Sequence, residues 1–480
     1  MAIIIPANSA ADTGYSIDNS CRFNFGDSPK LSIGNDKGSN VTKFTFSCWF
    51  KTSTVNSSYG RIFYTSSAGG EVNFTMYAAG ELAMIFNDGS AGERSWLTDA
   101  IYRDPSAWYH AVVRYDSTDA TAADRQQLWI NGVRVTSFSE STNVAENEAM
   151  PVFNDENFAV GREVDANDRF SFDGYLAEVC LIDGTAYTAT DFGEFDEDSP
   201  TIWKPKDVST LTFGAKGFYL DFEDSSALGN DVSGNNNDLT VSNLAATDQA
   251  TDTPTNNFCT GNPLANYHAG GTYSEGNCKW VSGGTAGGNT LYNISTVGVT
   301  AGKWYCEVKM KQSNTSMIGI TDKEQPDSSE AMTQSNYAAA YKSNDGKYIV
   351  NAGSATTYGD SYTTDDIVGI YIDLDNNKLY FGKNGTVQNS GTGITITGIS
   401  AMTSPAAGSQ GCYFIGGTKD NGGSTFEYNF GGCSAFTVSS ANSDANGYGN
   451  FEYDPSSGTF DSASKDFLAI CTKNLGSDGG

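Results

Sequence analysis

The chain is 480 residues long, and because one hydrophobic core rarely serves more than roughly 300 residues, two domains are expected. Its 28 lysines and arginines are outnumbered by 57 aspartates and glutamates. The formal net charge is therefore −29, and neither nucleic acid nor an anionic membrane is an expected partner. The 53 glycines, 25 tyrosines and 27 phenylalanines favour short strands joined by turns, which predicts an all-β chain.

The N-terminal stretch and the cysteines give no sign of export. No apolar run approaches the roughly 20 residues that cross a bilayer, and Met1–Pro6 has neither the basic start nor the length of a secretory signal. The 9 cysteines include no Cys-x-x-Cys pair, which predicts buried thiols rather than a disulfide framework or a zinc site. We expect a soluble chain made in a cytosol. Its Asn-, Thr-, Gly- and Tyr-rich composition is nevertheless typical of a surface protein.

The first half contains short apolar segments separated by Gly, Asn and Asp. In chain order the predicted strands are Cys21–Phe25, Lys30–Ile33, Phe44–Lys51, Gly60–Tyr64, Val72–Tyr77, Glu81–Phe86, Trp108–Asp116, Leu128–Val135, Asn157–Arg162 and Phe172–Ile182. The Asn131-Gly132 dipeptide tolerates the positive φ angles of a tight turn, so a hairpin is predicted there. Many short strands at this spacing indicate a β-sandwich.

Several of these pieces resemble the laminin-G/concanavalin-A-like family over about residues 20–240. They are Phe44–Lys51, Trp108-Tyr-His, Leu128–Gly132, Val160-Gly161 and Phe172–Val179. The resemblance implies a jelly-roll sandwich in which His110 is a strand residue and not a catalyst.

A turn-rich loop, Leu228–Asp238, is a first candidate for a metal site. Its Asp231, Asn235 and Asp238 supply the oxygen ligands that calcium prefers. Turns select the same residue types for backbone reasons, so a plain turn is the alternative. No other cofactor is expected.

The polar segment Asn243–Pro263 carries prolines and is predicted to be a linker between domains 1–242 and 264–480. A second set of strands follows it. These are Thr290–Ile294, Gly302–Met310, Ser316–Thr321, Asp365–Asp375, Lys378–Gly385, Cys412–Gly416 and Ser424–Gly431. Their motifs resemble the SPRY (B30.2-like) family over about residues 265–435. This implies a second β-sandwich that binds partners through loops and has no catalytic residues. The predicted fold class is thus two antiparallel, jelly-roll-like sandwiches joined by a polar linker.

Two groups of residues in the second domain are candidate ligand contacts. Tyrosines in the interval between two SPRY strands could stack on sugar rings if they are exposed, and the alternative is that several are ordinary strand residues. They are Tyr337, Tyr341, Tyr348, Tyr358 and Tyr362. Asp373 and Asp375 have the oxygen spacing that opens a calcium loop, but the later glycine and glutamate of such a loop are missing, so a hairpin turn is the alternative.

Catalytic motifs are missing. The 2 histidines, His110 and His268, are not accompanied by a nucleophile motif such as Gly-x-Ser-x-Gly, and no zinc or phosphate motif occurs. A glycoside hydrolase would need two carboxylates about 5–9 Å apart. Glu194-Phe-Asp196 begins the relevant Glu-x-Asp-x-x-Glu pattern, but Ser199 replaces its second glutamate. No catalytic residue is assigned, and no enzyme is expected.

Two further segments, Asp252–Phe258 and Phe467–Leu475, together with the domain order, resemble structural proteins of tailed bacteriophages, particularly marine ones. The resemblance implies a virion-surface protein, as a capsid decoration, fibre or tail appendage. Such a protein contacts other virion proteins and adheres to a host-surface glycan or protein. A secreted or cell-surface bacterial adhesin or lectin is the alternative, and a polysaccharide-degrading glycoside hydrolase is a third. No coiled-coil heptads specify a homo-oligomer, which stays possible.

Overall fold

The computed structural model describes residues 14–34, 41–53, 59–67, 70–89, 92–153, 158–163, 170–265, 271–283, 291–312, 315–323, 332–335, 337–402, 409–419, 423–461 and 465–477. These residues form two compact units that divide between Thr255 and Asn256. Within the described ranges, no helix has both the length and the apolar character needed to span a bilayer.

The described residues of the first unit form eighteen strands. They are β1 (Ser20–Phe23), β2 (Lys30–Ile33), β3 (Lys43–Thr52), β4 (Gly60–Ser67), β5 (Gly70–Met76), β6 (Glu81–Asn87), β7 (Arg94–Ile101), β8 (Tyr109–Asp116), β9 (Gln126–Ile130), β10 (Val133–Arg134), β11 (Phe138–Ser141), β12 (Phe158–Val160), β13 (Gly174–Asp183), β14 (Gly193–Phe195), β15 (Trp203–Pro205), β16 (Phe218–Leu220), β17 (Thr240–Ser242) and β18 (Gln249–Ala250). A short helix, α1 (Ala189–Phe192), precedes β14.

Two antiparallel sheets of this unit enclose one core. One sheet has the order β10-β9-β8-β3-β13-β1-β18, with β16 beside β13, and the other has the order β11-β7-β6-β5-β4-β12-β2-β17. Apolar side chains of both sheets meet between them, as where the rings of Phe46 and Phe63 lie 4.4 Å apart. The predicted all-β fold class is therefore confirmed, and its physical basis is the alternation that sends every second side chain inward.

The predicted hairpin at Asn131-Gly132 joins β9 to β10. Asn131 and Gly132 have φ angles of 48° and 75°, as a two-residue turn of this kind requires. A Cβ atom on Gly132 would lie 2.2 Å from the ring of Trp203, so this position also needs glycine for space.

Segment 243–263, expected as a polar linker, is instead folded into the units. Strand β18 pairs with β1, and Asp252 is fully buried. The Asp252 carboxylate lies 2.7 Å from the Lys51 ammonium and accepts a 3.0 Å hydrogen bond from the Trp108 indole N–H. Polar composition indicated a surface segment, but buried charge pairs produce the same composition.

In the second unit, fifteen strands lie within the part of the chain that the structure describes. They are β19 (Gly271–Ser274), β20 (Lys279–Ser282), β21 (Leu291–Val299), β22 (Lys303–Gln312), β23 (Ser316–Lys323), β24 (Ala338–Lys342), β25 (Lys347–Val350), β26 (Thr356–Thr357), β27 (Ile367–Asp373), β28 (Lys378–Lys383), β29 (Thr386–Val387), β30 (Ile394–Thr395), β31 (Ser409–Lys419), β32 (Thr425–Asn429) and β33 (Leu468–Ala469), and α2 (Thr472–Ser477) follows β33. Short 3-10 helices in the two units are Phe25–Asp27, Ala122–Asp124, Ala246–Asp248, Pro263–Ala265, Met332–Gln334, Asn389–Gly391 and Ile399–Ala401.

This unit is also a two-sheet sandwich. Its sheets have the orders β19-β20-β32-β22-β27-β28-β29 and β21-β31-β23-β24-β25-β26. Strands β30 and β33 add to β28 and β22, and β33 pairs in parallel while the other pairs are antiparallel. The ring of Tyr341 stacks 5.1 Å from that of Phe381 across the core between the two sheets.

The chain beyond Gly431 adds a layer to the second unit. A separate aromatic cluster joins this extension to β22, β27 and β28, and its buried members are Phe258, Tyr305, Tyr371, Tyr380, Phe451, Phe460, Phe467, Ala469 and Cys471. Segments 252–258 and 467–475 meet here. The Cys259 N–H donates to the Ile470 carbonyl at 2.9 Å, and Phe258 forms an antiparallel bridge with Cys471. The final segment is thus part of the folded unit.

Candidate functional site

A serine and a histidine lie within hydrogen-bond distance, but their arrangement is unsuited to catalysis. The indole N–H of Trp203 donates to Nδ1 of His110 at 3.0 Å, so the remaining nitrogen, Nε2, carries the proton. Nε2 is 2.9 Å from Oγ of Ser47 and therefore donates to it. Burial lowers the pKa of His110 to about 3. His110 is a neutral core residue that cannot act as a base toward Ser47. His268 lies outside the described residues.

The acidic pattern at β14 forms a turn. Asp196 accepts hydrogen bonds from the N–H groups of Asp198 and Ser199, at 3.0 and 2.9 Å. Lys204 lies 3.4 Å from Asp196 and 3.8 Å from Glu194. The bond from the Ser199 N–H is the main cause of a lowered pKa at Asp196. A general acid needs a raised pKa, so Asp196 does not fit that role.

Three of the five candidate tyrosines are buried, so they are not the exposed ligand contacts that the sequence allowed. Tyr341, Tyr358 and Tyr362 are 0%, 5% and 2% exposed and belong to the core between the sheets. The Tyr362 hydroxyl donates to the Tyr341 carbonyl at 2.8 Å, and the Tyr358 hydroxyl accepts from the Phe381 N–H at 3.1 Å. Tyr337 and Tyr348 are half-buried and pack against the same core. The three buried side chains hold the sandwich together and offer no surface to a sugar, while Tyr337 and Tyr348 keep part of their surface exposed.

The first calcium candidate is a loop stabilised by its own backbone. Oδ1 of Asp231 accepts from the N–H of Tyr219, and Oδ2 accepts from the N–H of Asn237. Asp238 accepts from the Asp231 N–H at 2.9 Å, while Asn235 uses its amide group to donate to backbone carbonyls. The Asp231 oxygens thus accept backbone N–H groups, which favours the plain turn over a metal site in this loop.

The second calcium candidate is the hairpin turn between β27 and β28. Asp373 is fully buried and accepts from the N–H and the side-chain amide of Asn376 at 3.0 and 2.9 Å. Asp375 accepts from the N–H of Gly302 and lies 2.9 Å from the ammonium of Lys303. The two carboxylates have different partners. In the described ranges, no three His, Cys, Asp or Glu side chains are grouped closely enough to hold a metal ion.

Glu178 is a buried acid that the sequence did not single out. It occupies a bulge in β13 with a φ of 49°, and its carboxylate accepts hydrogen bonds from the hydroxyls of Tyr219 at 2.7 Å and Tyr15 at 3.2 Å. Burial raises the pKa of Glu178 to about 8, and the charges of Asp221 and Asp207 act in the same direction. The side chain is therefore largely protonated at neutral pH.

The raised pKa of Glu178 predicts a pH-dependent stability. Between the ordinary value of 4.5 and about 8, the folded state binds a proton that the unfolded state lacks, so stability falls as the pH rises through this window. We expect the melting temperature of the chain to fall less between pH 5 and pH 8 in Glu178→Gln than in the wild type. The exposed Glu223→Gln is the control. Equal slopes in all three proteins would contradict the prediction.

A partly exposed group beside β4 and β5 has the chemistry of a binding site, with Tyr59 43% exposed and the Arg61 side chain 11% exposed. We call Tyr59, Arg61, Tyr77 and Phe170 the Arg61 cluster. On β5, Val72, Phe74 and Met76 point into the core, so the alternate residues face away from it. Tyr59 and Tyr77 flank the paired strands, and their ring centroids are 4.6 Å apart.

Hydrogen bonds hold Arg61 in place. Its Nη1 donates to Oδ1 of Asn73 and to Oγ1 of Thr75, both at 2.7 Å, and its Nε lies 3.4 Å from Oε2 of Glu163. The guanidinium carbon is 5.2 Å from the ring centroid of Phe170. The arginine is thus fixed in one orientation by partners on three sides.

Sequence reasoning missed this cluster for a definite reason. Arg61, Asn73 and Thr75 are non-core positions of two predicted strands, and antiparallel pairing brings them together. The sequence pattern does not give the register in which the two strands pair. Phe170 lies beside Arg61 because the Arg61 N–H donates a backbone hydrogen bond to the Phe170 carbonyl. The only usable signal was an arginine in an otherwise apolar strand.

Family models match both units in the predicted order. Residues 25–191 match the model Laminin_G_3, described as the concanavalin A-like lectin/glucanases superfamily, and residues 303–408 match the SPRY domain. These matches confirm the two domain resemblances and support a binding or adhesion role. No curated protein matches the chain.

Similar solved structures share only low identity with the chain. Domains LG4–5 of the mouse laminin α1 chain are 10% identical with a TM-score of 0.30, covering 87% of this chain and 91% of that one. A heptameric SAP-like pentraxin from Limulus polyphemus is 16% identical with a TM-score of 0.27, covering 36% and 78%. A human SPRY domain is 17% identical with a TM-score of 0.25, covering 32% and 90%.

Proposed function

We propose that this chain is a non-enzymatic adhesion protein that binds glycans or proteins on a cell surface. The observation that carries the proposal is the Arg61 cluster. It presents aromatic rings and a positioned arginine outside the core, in the unit whose residues 25–191 match a lectin-type family model. Aromatic rings with a few fixed polar groups are the usual composition of a ligand site.

The state of the carboxylates and the histidine favours binding over hydrolysis. His110 is buried and donates to Ser47 rather than accepting its proton. Asp196 is held by a turn and by a lysine. A glycosidase requires an acid and a second carboxylate on opposite sides of a sugar. Burial raises the pKa of Glu178 to about 8 and that of Glu307 to about 7, but the oxygens of both already accept hydrogen bonds from protein groups.

We propose more specifically that the chain is displayed on the virion of a tailed bacteriophage, in contact with other virion proteins. Support comes from the resemblance of Asp252–Phe258 and Phe467–Leu475 to phage structural proteins. Parts of these two segments pair in the second unit. A bacterial adhesin of the same folds is the competing assignment.

Mass spectrometry of virions purified from a lysate that contains the chain tests whether it is a virion protein. We expect its peptides in the particle fraction at a constant ratio to the major capsid protein, because a structural component has a fixed copy number. Recovery of the chain only from particle-free supernatant or from bacterial surfaces would favour the adhesin instead.

A further inference from the structure

We propose that the Arg61 cluster binds one ring of an uncharged pyranose, with the apolar face of the sugar on Tyr59 and its hydroxyl groups bonded to Arg61. The inference rests on the proposed adhesion function and deepens it, because it names the site and the class of ligand.

The aromatic side of the site is already assembled. Tyr59 is 43% exposed, and its ring meets Tyr77 at 4.6 Å and Phe170 at 5.6 Å, in both cases edge to face. Neither the Tyr59 nor the Tyr77 hydroxyl has a hydrogen-bond partner in the part of the chain that the structure describes. An exposed ring held by two others loses little freedom on binding, and it offers both an apolar face and a polar tip.

The polar side of the site is held just as firmly. Two hydrogen bonds orient Nη1 of Arg61, while no described residue accepts a bond from its Nη2. Oδ1 of Asn73 accepts from both Arg61 and Thr75, which fixes the amide orientation. Its Nδ2 is then left buried without a partner, in a side chain that is only 1% exposed. An unsatisfied buried donor of this kind is typically completed by an ordered water, which would lie beneath the exposed part of the cluster.

The backbone at Phe170 supports a functional role. Its φ is 64°, a conformation that a bulky side chain rarely adopts and that is found mainly where function requires it. This conformation places the Phe170 ring both against Tyr59 and beneath the Arg61 guanidinium.

Charge decides the class of ligand. Glu163 lies 3.4 Å from Arg61 and balances its charge, so the cluster has no net positive charge with which to attract an anionic sugar. A cationic ligand would compete with the Arg61 guanidinium, which already covers the Phe170 ring. An uncharged ring with hydroxyl groups fits both restrictions, because it needs no charged partner and its hydroxyl oxygens can accept from Arg61.

Affinity electrophoresis of the full chain tests the proposal, with neutral β-glucan, mannan and galactan as probes and alginate as the anionic probe. We expect the wild type to bind at least one neutral polysaccharide. Tyr59→Ala should weaken that binding about tenfold, which corresponds to about 1.4 kcal/mol. Tyr59→Phe should retain most of it, because the ring remains. Phe195→Ala is the matched control, since Phe195 is another exposed aromatic residue of the same unit at 39%.

The outcomes separate this site from the proposed function. Retention of a neutral polysaccharide by Tyr59→Ala at wild-type strength would place the site elsewhere and leave the adhesion function standing. Binding of alginate alone would overturn the uncharged ligand class. No binding of the wild type to any polysaccharide or cell surface would overturn both proposals. Unchanged melting temperatures of the variants establish that the effects are local.

Discussion

Replacing Asp252 with alanine is expected to destabilise the first unit by about 3–5 kcal/mol, because it removes the carboxylate that balances the buried Lys51 ammonium. The two charged groups are 2.7 Å apart, and their side chains are 0% and 1% exposed. The same substitution removes the acceptor of the Trp108 indole N–H. Chemical denaturation followed by tryptophan fluorescence measures the loss.

Two further variants separate charge from shape at this pair. Asp252→Asn keeps an acceptor for Trp108 but not the charge, so it should remain strongly destabilised. Lys51→Met combined with Asp252→Leu should recover much of the loss, since no charge is then buried. Exposed ion pairs contribute about 1 kcal/mol or less to stability. A loss of only that size in Asp252→Ala would therefore contradict the assignment of a buried, desolvated pair.

Replacing Glu307 with alanine should release the C-terminal extension of the second unit. The Glu307 carboxylate accepts from the Tyr305 hydroxyl, the Asn429 amide and the N–H groups of Glu452 and Tyr453, at 2.7–3.0 Å. Each donor left buried without an acceptor costs about 1–3 kcal/mol, so a loss of at least about 3 kcal/mol is expected.

Limited proteolysis shows where the effect of Glu307→Ala falls. We expect cleavage within 432–477 to become rapid while the strands before Gly431 stay resistant, because Glu307 contacts the backbone of that extension. Lys311→Ala, on the same strand with a side chain 42% exposed, should leave the cleavage pattern unchanged. An unaltered pattern in Glu307→Ala would contradict the assigned role.

The sequence predicted the strands and the hairpin turn because both depend on residues that are neighbours in the chain. Alternation located strands such as Phe44–Lys51, and Asn131-Gly132 marked a hairpin that the structure contains. Burial of individual polar and aromatic residues depends on distant partners. Asp252 pairs with Lys51, 201 positions earlier in the chain, so the polar composition around Asp252 wrongly indicated a linker. Tyr341 packs against Phe381 of the opposite sheet, which a tyrosine-rich segment does not reveal, so Tyr341 was interpreted as a ligand contact.

The candidate site was unpredictable for the same reason. Asp231 and Asp373 have calcium-like spacing, yet their oxygens accept backbone N–H groups, a choice that sequence spacing does not reveal. The Arg61 cluster combines residues 59–77 with Phe170, and only the fold brings them within ring contact.

The most direct test of adhesion without catalysis is to incubate the full chain with a neutral polysaccharide that retains it, and to measure the length of the polysaccharide afterwards. The account predicts retention of the protein, unchanged polysaccharide length and no release of reducing ends. Release of reducing ends that a single Glu→Gln substitution abolishes would contradict it and assign a hydrolase.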